Sequence, residues 1–180
     1  VGIVPAWGGC KELLMRWSRN KKRPGGPMPP VIKTFETIGL AKVAKSAEEA
    51  RDLMFLRPTD GITMNRDRLL SDAKTKALEL AEDYSPPEVQ EISLPGPTAK
   101  TAIEMAVEGF RMSGKATPHD VVVSDHLAHV LSGGETDITE TLTEDDILAL
   151  ERDAIGKLAR TPRTLARMRH MLKTGKPLRN

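Results

Sequence analysis

His126 and His129 lie three residues apart with Asp120 and Asp125 just upstream. On a helix that spacing puts both imidazoles on one face, which is the beginning of a metal site. Zinc needs three or four converging ligands, and no other His or Cys is spaced to complete the set. No metal ligand is assigned, and the pair reads as two partly exposed helical histidines. Ser124-Asp125-His126 contains the letters of a hydrolase triad, but adjacent residues do not converge as a triad must. Cys10 follows Gly8-Gly9 at the start of a helical pattern, where a helix dipole favours a thiolate. It also shares an apolar stripe with Leu13, and no histidine is near it, so it reads as a packed thiol. Gly-x-Gly-x-x-Gly and Gly-x4-Gly-Lys-Ser/Thr are both absent, which removes the usual Rossmann and P-loop phosphate sites. On these grounds no catalytic residue is assigned.

Charge distribution says more than charge total. Lys and Arg number 27 against 25 Asp and Glu, a formal charge of +2, without the overall basic excess of nucleic-acid binders. The excess is local. Glu135 to Asp153 holds eight acids and one base, Arg152, whereas Lys157 to Asn180 holds eight bases and no acid. The last helix therefore presents a cationic face suited to phosphate, unless the two runs pair with each other or are simply solvated. Arg16 to Arg23 packs five bases into eight residues around Trp17. Trp17 falls on an apolar stripe and is expected in the core, so nucleic acid is not assigned as a partner. No apolar run approaches the roughly 18 residues of a membrane span, and no charged-then-apolar leader opens the chain. The expected setting is cytoplasmic.

The elements that must position these residues are helices. Cys10, Leu13, Leu14 and Trp17 recur at helical spacing. A basic Gly/Pro loop through Pro30 follows, then a helix over Val31–Leu40 and another opened by Ser46-Ala47-Glu48-Glu49. Asn65 caps a longer helix whose stripe is Leu69, Leu70, Ala73, Ala77, Leu80, Ala81 and Tyr84. Four prolines in 86–98 predict an extended linker, dividing the chain into 1–85 and 99–180. Beyond it come a stripe from Ala99 to Phe110, a Thr117-Pro118 start stopped at Gly133-Gly134, a start at Thr143 with Asp146, and a last helix from Thr161-Pro162 to about Gly175. With 39% hydrophobic residues there is material for a core, and only six aromatics argue against a β-sandwich or barrel. The fold class expected is mainly α.

Gly2-Ile3-Val4-Pro5-Ala6-Trp7-Gly8-Gly9-Cys10 resembles the Gly-(Leu/Ile)-(Ile/Val)-Pro-x-x-Gly-Gly-(Thr/Cys) segment of the crotonase, or enoyl-CoA hydratase/isomerase, superfamily. Ser46 to Arg51 looks like the Ser-Ala-x-x-Ala helix that follows it there. Phe55 to Asn65 and Met171 to Asn180 resemble bacterial bifunctional enzymes that join a 3-hydroxyacyl-CoA dehydrogenase to a C-terminal hydratase-like domain. The resemblance implies a helical C-terminal portion of a crotonase-like domain lacking most of its β-core: residues 1–85 would end the core, and 99–180 would form a C-terminal helical region.

That family's oxyanion donors and its two glutamates belong to segments that would precede Val1, so the resemblance also implies a chain without catalytic residues of its own. The chain opens without methionine inside an apolar stretch and reads as part of something longer. The resemblance places Val4, Ala6 and Trp7 near an acyl pocket, and makes Lys173 and Lys176 candidates for CoA phosphate contacts. Acyl-CoA is then the partner of the intact enzyme. NAD would sit in a separate domain, and no cofactor would be held by these residues. Trp7 stands where relatives often carry a small residue, and Met54 where a glycine commonly follows the helix. Without the upstream strands, exposed stripes would be covered by packing or by homo-oligomer formation. The rival expectation is a self-contained helical binding module whose basic C-terminal helix takes an acidic or nucleic-acid partner.

Overall fold

A computed structural model describes all 180 residues. It is mainly helical, as the composition implies, with eight helices and two two-residue strands. The chain forms two compact units, one of residues 1–43 with 90–180 and one of residues 44–89.

The larger unit holds α1 (Gly9–Arg19), α2 (Met28–Gly39), α5 (Pro97–Met112), α6 (Pro118–Ser132), α7 (Glu144–Leu158) and α8 (Pro162–Thr174). Strands β1 (Glu91–Ile92) and β2 (Leu142–Thr143) pair antiparallel, Glu91 opposite Thr143. α6 is the central helix, packed against α1, α2, α5 and α7. Its sequence explains this: Leu127, Ala128, Val130 and Leu131 are buried and Val121 and Val123 pack against the same core, while Val122 faces solvent. Leu14, Val31, Ile103, Leu127, Val130, Leu131, Ile147 and Leu158 form the core between these helices.

The helix starts at Thr117 and Thr143 and the stops at Gly133 and Gly175 are those the sequence announces. Thr117 with Asp120 and Thr143 with Asp146 make complete capping boxes, and Gly133 and Gly175 close α6 and α8 in left-handed conformation. α2 begins at Met28, three residues earlier than its apolar pattern suggests. Pro29 and Pro30 fit its first turn because they lack the N–H groups that would otherwise need capping. The proline-rich stretch 86–98 carries β1 and the fully buried Leu94. At Gly96 the backbone runs against the Thr136 carbonyl, where any Cβ would overlap the oxygen.

The smaller unit contains α3 (Ala47–Asp52), a single 3-10 turn (Arg66–Arg68) and α4 (Leu69–Glu82). Ser46 caps α3 by accepting the Glu49 N–H, and Asn65 caps the 3-10 turn through Asp67. The predicted stripe lies on α4 from Leu69 to Ala81, with Tyr84 past the helix end, yet no residue of 44–89 is buried. Periodicity set the conformation of this helix without setting its burial.

Candidate functional site

The segment Val1–Lys11 sets left-handed backbone at Gly2, Trp7 and Gly8 next to chemistry-bearing side chains. Its helix, α1, starts after Gly8 with no side chain from the cap residue itself. The missing acceptor comes from the other end of the chain. Glu151 on α7 accepts the backbone N–H of Gly8 at 2.8 Å and of Lys11 at 2.6 Å. A carboxylate at a helix N-terminus meets unpaired N–H groups and the positive end of the dipole. Glu151 is only 1% exposed. Burial raises its pKa above the ordinary carboxylate range, outweighing the backbone N–H groups of Lys11, Gly8 and Cys10 that favour the anion.

Around this cap the turn is tight. A Cβ on Gly9 would come within 2.7 Å of the Pro5 Cβ, so the close approach of the two backbones needs glycine. Trp7 sits at φ 59, left-handed backbone that an aromatic residue rarely adopts, with its side chain wholly in solvent. Cys10 donates its thiol to the Pro5 carbonyl at 3.2 Å. Burial and the Glu151 carboxylate push that thiol far up, so it is a packed group, not a thiolate nucleophile. Lys11 carries its ammonium to Glu12 at 2.6 Å and Glu144 at 2.7 Å, tying α1 to the start of α7 a second time.

A second network fixes the first residues of the chain. Thr164 on α8 donates its hydroxyl to the Gly2 carbonyl at 2.7 Å. With that proton committed, the His119 Nε2, 2.8 Å from the Thr164 hydroxyl oxygen, must be the donor and carries a proton. Burial, with Arg167 and Arg163 nearby, lowers the His119 pKa. Arg167 is itself buried and uses its whole fork. It donates to Asp120 at 2.8 Å, Thr117 at 3.0 Å, and the Asn180 side chain and carbonyl at 2.7 and 3.2 Å. One guanidinium thus joins the capping box of α6, α8 and the last residue described.

Of the residues proposed for an acyl pocket, Val4 lies in the core at 1% exposure, Ala6 is half-buried and Trp7 is exposed. None of the three lines the groove between α5 and α6 or either groove around the α1–α2 loop. Lys173 and Lys176 are exposed at the end of α8, without a carboxylate partner. His126 and His129 do not gather a third metal-ligating side chain. Trp17 is half-buried and forms one wall of a groove. Glu151, His119, Thr164 and Arg167 were not legible as a set, because their partners are far away in sequence. One signal was present. Glu151 stands in the middle of the Ile147, Ala154, Leu158 stripe, where a charge has no place unless something satisfies it.

No family model and no solved structure matches the chain. A curated bacterial protein does, at 40% identity along the whole of this chain. That relative is a probable 3-hydroxyacyl-CoA dehydrogenase of Bacillus subtilis (strain 168). The chain spans 23% of the dehydrogenase's length, so the likeness concerns one part of a much larger protein. No helix of the chain is long and apolar enough to cross a membrane.

Proposed function

We propose that these 180 residues are part of a fatty-acid β-oxidation enzyme. In this reading they form the helical C-terminal portion of a crotonase-like, enoyl-CoA hydratase/isomerase-like domain that shares its polypeptide with a 3-hydroxyacyl-CoA dehydrogenase. The observation that carries it is the 40% identity over the full chain to under a quarter of a dehydrogenase of that name. The segmental resemblance at Gly2–Cys10, Ser46–Arg51 and Met171–Asn180 supports the hydratase part.

In this reading the chain supports catalysis without performing it. Its buried carboxylate, Glu151, is occupied by two backbone N–H groups, and its buried cysteine is hydrogen-bonded and protonated. What it contributes is position: α7 and α8 hold the Gly2–Gly9 segment, in which Ala6 and Trp7 would face the acyl group while Val4 anchors the segment in the core. Lys173 at the end of α8 and Lys176 just after it, both free cations, would meet the phosphates of acyl-CoA. NAD would serve the dehydrogenase domain in a cytoplasmic enzyme.

The test is kinetic and uses the whole enzyme. Replacing Lys173 and Lys176 together by Ala should raise KM for 2-enoyl-CoA by about tenfold with little change in kcat, the signature of lost uniform binding. Unchanged KM refutes the assignment of these two lysines.

A further inference from the structure

We propose that the groove where the end of α1 meets the first two turns of α2 is a binding site for an anionic amphiphile, specifically an acyl chain with a carboxylate head. Its floor is apolar: Trp17 from α1, Pro24 from the loop, and Met28, Pro29 and Ile32 from α2. Its volume is about 440 Å3, inside the roughly 300–1,000 Å3 range of small-ligand sites. Two prolines in the lining and the fixed first turn of α2 make the walls stiff, which lowers the ordering cost of binding.

The charge of the rim selects the ligand's sign. Lys22, Arg23 and Lys33 line it, Lys21 adjoins it, and no acid is among the lining residues. Arg23 gives its guanidinium to three neutral carbonyls, of Ser18, Pro24 and Gly26, at 2.7 to 2.9 Å. That arrangement stiffens the loop and leaves the positive charge uncompensated. Lys22 has no carboxylate partner either, and the one acid nearby is Glu36, 3.1 Å from the Lys33 ammonium. An apolar floor and a cationic rim match a carboxylate-headed chain better than a neutral or cationic one.

The inference uses the groove's own lining and does not depend on the enzyme reading. Trp7, the other tryptophan, is wholly exposed and outside the groove, so Trp7→Phe leaves Trp17 as the sole indole reporter. The 180-residue chain carrying that change is titrated with decanoate below its micellar concentration, following emission. Saturable change is expected. Adding Lys22→Gln and Lys33→Gln, both surface changes, should weaken the apparent affinity about tenfold, as raised salt should in part. Non-saturating emission, an equal response to decyltrimethylammonium, or unchanged affinity in the double lysine variant overturns the proposal.

Discussion

Glu151 and Lys11 are 140 residues apart in sequence, and the carboxylate of one accepts the backbone N–H of the other at 2.6 Å. The second carboxylate oxygen does the same for Gly8. α1 is therefore capped from α7, and the segment before it inherits its conformation from a helix near the far end of the chain.

Glu151→Gln tests that cap. A glutamine offers one acceptor and turns a donor against a backbone N–H, so the variant should lose about 1–3 kcal/mol in urea unfolding. The pH profile should change with it. The native group is held above its unfolded pKa, so the stability it contributes is full below the ordinary glutamate value of 4.5 and is lost as pH rises through the folded value. The variant should lack that decline.

Arg167→Ala should cost about 3–5 kcal/mol, because Asp120 then stays partly buried without its counter-charge. Arg167→Lys should recover little of this, since one ammonium cannot reach Asp120, Thr117 and Asn180 at once. Both are read by chemical denaturation. Loss below 1 kcal/mol would show that the fork is ornamental to α8.

His119 supplies an acid-side dependence of the opposite sense. Its folded pKa lies below the ordinary 6.5, so its contribution is present above that value and falls as pH drops through the folded one. His126, also lowered by burial, acts in the same direction. His119→Gln keeps a donor for Thr164 and should flatten part of the fall between neutral pH and about pH 5, measured by thermal denaturation across that range.

Trp7→Gly should not destabilise the fold. The indole is fully exposed and its left-handed backbone costs an L-residue roughly 1–2 kcal/mol, of which glycine returns part. A gain of about 0.5 kcal/mol or more in urea unfolding is expected. A loss would mean that the indole makes a contact of its own.

Local signals in the sequence were enough for the helices and their caps. Thr117-Pro118, Thr143 with Asp146, and the glycines after α6 and α8 act within one turn of themselves, and each stands where the sequence places it. Burial was less legible. The stripe of α4 has the right period, but period does not say whether a partner surface is present, and Leu70 and Leu80 are exposed. The opposite happened on α8, whose buried residues are Thr164 and Arg167 while Leu165 and Leu172 face solvent. A stripe of leucines points to the core only when hydrogen-bonded polar groups do not take the inner face. The two networks around Gly2 and Gly8 were illegible for a different reason. Their bonds to Gly2, Gly8 and Lys11 join residues 140 or more apart, and no local pattern encodes such a pairing.

The enzyme reading turns most directly on where hydratase activity resides. In the full-length polypeptide carrying these residues, both 2-enoyl-CoA hydration and NAD-dependent oxidation of 3-hydroxyacyl-CoA should be measurable. Deleting residues 1–180 should abolish hydration and leave the oxidation, and the 180-residue chain alone should turn over neither substrate. Hydration by the isolated chain, or its survival after the deletion, would contradict the account.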